Sequence, residues 1–204
     1  ALLLLAGLSS PALALQPLIT DDTGTQGSGG NQLELSFSEE RAKSDGNTDR
    51  TRSLPFVYTR GLTESLDVYV GFGYSWLSPD NPGSNVNGAT NPSLGAKWRF
   101  YENEESGSSL ALKPEIIFPV SSGREVDGLG TGKTSGNLTL IYSQDVPFGA
   151  VHVNAGVGRE RYRDDEISPD ATTSRFSIAP VWDVSEQWKL ALDVGTESAR
   201  AAGD

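Results

Sequence analysis

Residues 65 to 76, "SLDVYVGFGYSW", alternate between apolar and polar or small side chains without a break. Successive side chains of an extended chain point to opposite sides, so Leu66, Val68, Val70, Phe72, Tyr74 and Trp76 share one face. Ser65, Asp67, Tyr69, Gly71, Gly73 and Ser75 share the other. A helix would scatter both sets around its circumference, so this stretch is a strand with one apolar side. The period returns along the chain. Leu94, Ala96, Trp98 and Phe100 oppose Ser93, Gly95, Lys97, Arg99 and Tyr101, and Leu110, Leu112, Ile116, Phe118 and Val120 oppose Lys113 and Glu115. Leu138, Leu140 and Tyr142 oppose Asn137, Thr139 and Ser143, and Val151, Val153, Ala155 and Val157 oppose His152, Asn154, Gly156 and Gly158. Phe176, Ile178 and Trp182 oppose Arg175, Ser177 and Ala179. Trp188, Leu190, Leu192 and Val194 oppose Lys189, Asp193 and Glu197, and near the start Leu33, Leu35 and Phe37 oppose Glu34, Ser36 and Ser38. The segment 52 to 61 fits least well, because Pro55 and Val57 blur the alternation and proline cannot donate to a ladder. About nine strands match the template.

The connections sort by length. Those around 41–50, 78–90, 121–133 and 161–172 are long and rich in Gly, Asn, Asp and Ser, whereas those near 61–64, 102–108, 145–148 and 184–187 are short. Short turns at one end and long loops at the other are the pattern of an up-and-down outer-membrane barrel. A strand of about ten residues rises roughly 33 Å, and a tilt near 40° reduces that to roughly 25 Å, the height of a lipid-facing band. The large number of Gly, 23 in 204 residues, leaves few big side chains for a dry core. A barrel needs none, because its apolar face meets lipid and closure pairs the backbone. Trp76, Tyr101, Tyr142, Trp182 and Trp188 fall near strand ends, where an aromatic girdle sits. The expected fold is therefore all-β, an antiparallel up-and-down transmembrane β-barrel.

The opening "ALLLLAGLSSPALA" reads as the apolar core of a secretory signal with cleavage after Ala14. It is shorter than the about 20 apolar residues a spanning helix needs. The expected organisation is a partial signal peptide over 1–14, a periplasmic N-terminal segment over 15–31, and the barrel over 32–204. The location expected is the bacterial outer membrane, with its lipid as one partner. A net charge of −11 and the lack of any basic run argue against nucleic acid, whose phosphates need Lys and Arg to displace counterions.

"DGLGTGKTSG", residues 127–136, contains the Gly-Lys-Thr of a phosphate-binding loop. A phosphate loop needs a glycine five positions before Gly132, where Asp127 stands, a strand before it and a helix after it. Here "EVDGLG" reads as loop and "SGNLTLIYS" as strand, so no nucleotide is expected. The stretch reads as the flexible end of a long loop with Lys133 as an exposed charge. With no Cys and a single histidine, His152, neither a thiolate nor a multi-histidine metal site is available. Asp21 and Asp22 are adjacent carboxylates without further ligands at loop spacing, and read as solvated acids. No catalytic residue, metal or cofactor is expected.

The alternation turns Asp67, Lys97, Arg99, Lys113, Glu115, His152, Arg175, Lys189, Asp193 and Glu197 inward, together with Glu34. Their signs nearly balance. Charges in a narrow lumen are costly unless paired, which predicts cross-strand ion pairs such as Asp67 with Arg99. Glu64, Glu102, Glu104, Glu105, Asp145 and Glu186 in the short turns predict an acidic periplasmic rim without basic residues.

"QPLITDDTGTQGSGGNQLELSFSEER", "YTRGLTESLDVYVGFGYSW", "NPSLGAKWRFY" and "PEIIFPVSSGRE" resemble the family described as "Putative MetA-pathway of phenol degradation". The opening from Pro17 to Asp22 is the most specific part. The resemblance implies a small outer-membrane barrel of roughly a dozen strands, the even count usual for bacteria. It also implies passage of small solutes, aromatic ones by the pathway association. The final "TESARAAGD" lacks the aromatic-ended strand that usually finishes such a barrel, so the C-terminal strands are expected to be missing. The reading is a passive channel for small solutes and not an enzyme. The alternatives are a barrel enzyme acting on lipids and a plugged structural or adhesive barrel.

Overall fold

The computed structural model describes residues 19–44, 47–80, 84–163 and 169–201. The expected signal peptide lies outside them. Twelve strand segments form one sheet: β1 Asn31–Leu35, β2 Ser38–Ser44, β3 Asn47–Thr63, β4 Leu66–Ser78, β5 Val86–Ala89, β6 Ser93–Asn103, β7 Ser108–Ile117, β8 Ser135–Val146, β9 Gly149–Glu160, β10 Ala171–Ser185, β11 Trp188–Ala191 and β12 Val194–Ala201. All pairings are antiparallel between strands that follow one another, apart from the broken ones. The order runs β1-β3-β4-β6-β7-β8-β9-β10-β11, with β2 on β3, β5 on β4 and β12 on β10. The result is a curled half-barrel of nine strands.

Prolines explain two of the three broken strands. β1 and β2 pair β3 in one continuous register, and the interruption at 36–37 lies opposite Leu54 and Pro55. β11 and β12 likewise keep one register on β10, and their gap faces Pro180. Each proline accepts a bond there, from Ser36 and Leu192, but has no N–H to return. Pro114 has the same effect inside β7, where the ladder to β6 skips from Gly95–Glu115 to Trp98–Leu112. The third break, between β5 and β6, comes from a one-residue shift of register on β4 around Asn91 and Pro92.

Apolar side chains occupy the outer face. Phe72, Trp98, Ile116, Val157 and Phe176 are each at least half exposed, while their inward neighbours Asp67, Ile141, Thr173, Ser177 and Ala179 are buried. Tyr74 and Trp76 pack together at the long-loop end, and Phe148 stacks on Trp182 at the short-turn end, their centroids 4.7 and 5.7 Å apart.

Four expectations change. The segment around 52–61 is not the weakest strand but part of the longest, 17 residues. Residues 41–50 are mostly β2 and β3 and not a loop. A register shift between Arg99 and Tyr101 turns Tyr101 outward opposite Leu110, because a bulge adds one residue and moves the side chains beyond it to the other face. Val120 leaves the sheet after Ile117 and is buried under the next loop.

Candidate functional site

A strap of irregular chain, residues 19–30, crosses the concave face from the last strand to the first. It starts at Asp193, in the gap between β11 and β12. The Asp193 carboxylate accepts the backbone N–H of Ile19 and of Thr20 and the Thr20 hydroxyl, the last at 2.6 Å. Asp21 comes next. Its two oxygens lie 3.2 Å from Lys97 Nζ on β6 and 2.6 Å from Lys113 Nζ on β7. Asn154 on β9, with its amide nitrogen turned to the Asp21 carbonyl, pairs with both backbone groups of Asp21 at 2.9 and 2.7 Å. Thr23 donates its N–H to Ser143 Oγ at 3.1 Å and shares a 2.6 Å hydroxyl bond with Ser109.

Further on, the Gln26 N–H reaches both oxygens of Asp67, at 3.1 and 3.0 Å. Thr25 donates to the Glu64 carbonyl and the Ser28 N–H to the Glu64 carboxylate. The strap ends as backbone pairs, Gly29 N to Gly61 O and Gly61 N to Gly30 O, both at 3.0 Å. A Cβ on Gly61 would stand 1.8 Å from the Gly27 carbonyl oxygen, so only glycine lets the two chains approach this closely. Tyr69 lies over Gly95, its direct cross-strand partner, where a Cβ would meet the ring at 2.2 Å. Lys113 Nζ sits 5.2 Å from the centroid of that ring.

Burial opposes ionisation of Asp21, but the Lys97 and Lys113 ammoniums outweigh it and hold the carboxyl down to about 2. Asp21 and Asp22 are therefore not solvated acids. Asp21 bridges two lysines, and Asp22 lies 3.9 Å from Lys97 while accepting the Gly24 N–H at 2.6 Å. Among the described residues no group of three or more His, Cys, Asp or Glu is placed to hold a metal.

All ten inward candidates sit on the strap-side face. Asp67, Lys97, Lys113 and Asp193 bind the strap directly. Glu115 accepts from Asn137 at 3.1 Å, Arg175 pairs with Glu197 opposite it, and Lys189 pairs with Asp183 at 2.6 Å. His152 Nδ1 lies 2.8 Å from Ser143 Oγ, its partner across the ladder. That serine already accepts the Thr23 N–H, so His152 orients a strap anchor. Asp67 and Arg99 face the same side on adjacent strands but do not pair. Arg99 instead meets Glu102 at 3.3 Å and donates to the Glu64 carbonyl at 3.0 Å. The rim is therefore not free of basic groups.

Alternation turned Tyr69, Ser143 and Asn154 inward but said nothing of the strap that Ser143 and Asn154 hold. Of the strap residues Thr20, Thr23 and Gln26, only Thr20 falls in the Pro17–Asp22 stretch that stood out in the sequence. Between strap and wall lies a cleft of about 1010 Å³, bordered by Tyr69, Lys97, Lys113, Glu64 and His152.

The long-loop end is covered differently. Residues 118–134 form a short helix, α1 Ser122–Val126, and a returning turn. Asn91 holds both ends: its Nδ2 donates to the carbonyls of Phe118 and Thr131, and its Oδ1 accepts the Thr131 N–H. The buried Glu125 carboxylate accepts the N–H groups of Gly132 and Arg163, at 3.1 and 2.7 Å, and the Arg163 guanidinium at 3.3 Å. Leu129 is buried beneath, with a second cleft of about 650 Å³ alongside. The Gly-Lys-Thr stretch is thus folded, not a flexible loop end. The Gly132 N–H that a phosphate would require already faces a carboxylate, and Lys133 is half-buried with its N–H on the Arg161 carbonyl.

An antiparallel half-barrel with polar groups inside, apolar groups outside and an N-terminal segment folded across its concavity is barrel-like in class. The family model described as "Putative MetA-pathway of phenol degradation" matches residues 20–200, and the chain belongs to that family. No curated protein and no solved structure matches it.

Proposed function

We propose that this chain forms part of an outer-membrane β-barrel that passes small solutes, aromatic compounds among them, through a lumen narrowed by the strap. One observation carries the reading: large apolar side chains are exposed on the outer face while charged and hydroxyl side chains fill the inner one. In water such a surface promotes association, whereas in a bilayer it is the lipid-facing band. The cleft between strap and wall and the one beside the long-loop cover supply space of solute size at the two ends. The family's description supports aromatic solutes. The export signal read at 1–14 supports the location, and residues 19–30 of the expected periplasmic segment then lie inside the barrel instead of beside it.

The test is refolding into liposomes and uptake of phenol against a polar solute of similar size. Faster phenol entry supports the reading, equal entry makes the protein a general pore, and no entry of either overturns it. Heat-dependent gel migration tests the barrel separately, since a water-soluble sheet would not need lipid or detergent to fold.

A further inference from the structure

Lys97 and Lys113 stand directly opposite each other: the register of β6 on β7 that pairs Gly95 with Glu115 and Trp98 with Leu112 places them face to face. Two ammoniums in that position repel. Among the described residues their ion-pair partners are Asp21 and Asp22, on the strap. The nearby wall carboxylates are engaged elsewhere, Asp67 with the Gln26 N–H, Glu115 with Asn137 and Glu34 with the Gln32 amide. The wall therefore presents a two-lysine cradle beside the Tyr69 ring, and the strap fills it with one carboxylate, one oxygen to each lysine.

We propose that this cradle is a binding site for small organic carboxylates, and that Asp21 occupies it as a built-in stand-in when no such solute is present. This rests on the channel reading for its purpose, because the site would give an anionic solute a station inside the lumen. An incoming carboxylate takes the two Asp21 contacts and lays its body in the adjoining cleft against the Tyr69 ring. The strap, held independently at Asp193 and Gly61, need only shift at its centre. Such a stand-in lowers the apparent affinity for solute by the fraction of time that the cradle is free.

Titration calorimetry of the detergent-folded protein with benzoate and with benzamide tests this without requiring flux. Benzoate is expected to bind the native chain weakly and Asp21→Asn roughly tenfold more tightly, because the competing carboxylate is gone. Asp193→Asn, which loosens the strap without touching either lysine, should also tighten benzoate. That variant keeps the test open if Asp21→Asn does not fold. Adding Lys113→Gln to either variant should remove the gain, and benzamide should respond to none of them. Unchanged benzoate affinity in the strap variants, or a gain that survives Lys113→Gln, overturns the site. A chain that binds benzoate as expected yet passes no solute keeps the site and loses the channel reading. One that passes solutes but shows no such dependence keeps the channel and loses the site.

Discussion

The two ends of the half-barrel are covered by unlike devices. At the short-turn end an N-terminal strap is fixed to the wall by side chains from many strands, among them Asp193, Asn154, Ser143, Lys113, Lys97 and Asp67. At the long-loop end a connection folds back on itself and is tied by one asparagine and one buried glutamate. The first cover depends on charges that the wall donates, the second on a clasp whose parts lie within the loops. Releasing the strap should therefore disturb the wall, whereas releasing the loop should leave the wall intact.

The largest expected effect is from Asp21→Lys, which places a third ammonium between two others. The strap should be expelled and the folded state weakened by roughly 3–5 kcal/mol, as for a broken buried pair. A lower urea midpoint and a higher conductance in planar bilayers would be the readouts. Glu125→Ala is expected to cost about 1–3 kcal/mol, by stranding the Gly132 and Arg163 donors and an arginine charge. Faster hydrogen exchange should be confined to residues 118–134 and to Arg163, and spread of the effect to the strap would erase the distinction between the two covers.

Gly61→Ala should detach only the β3 end of the strap, through the clash with Gly27. A loss of about 1–3 kcal/mol is expected, with protection lost at residues 27–30 and retained at Asp21. The smallest change, about 1 kcal/mol, is expected from Thr23→Val, which removes the hydroxyl bond to Ser109 and keeps the backbone bond to Ser143.

Acid offers a test without mutation. Asp21 has its pKa lowered from 3.8 to about 2 in the folded chain. Its contribution is therefore complete above about 4 and lost as the pH falls through about 2. Exchange protection of the strap should fall in that window. Loss of protection already at pH 6 would mean that another group holds it.

The wall was legible in sequence because a strand writes its two faces into neighbouring residues. Asp67 beside Val68, or His152 between two valines, reveals its side without reference to any other strand. The failures occurred where geometry depends on distant residues. Tyr101 was turned outward by a bulge that the alternation of 93–101 does not reveal. The strap has no period at all, and its backbone and side-chain groups find partners as far as 174 positions away. The clasp escaped notice because Glu125 and Arg163 lie in different loops, 38 positions apart. Local pattern records which way a strand faces, and the covers are written in pairs that only folding brings together.

The bond between Thr20 and Asp193 joins residues 173 positions apart, nearly the full span of the described chain. Closing so long a loop is entropically unfavourable until the intervening strands have zipped up, each on its predecessor. The strap, which precedes the first strand, thus waits for the β11–β12 connection before it is secured at both ends. A chain caught midway through assembly would have its concave face uncovered, with Lys97 and Lys113 bare and Asp193 not yet in place. Arrival of the strap at Asp193 requires that β11 and β12 have already paired with β10, and susceptibility of residues 19–30 to an added protease would time how quickly that moment comes.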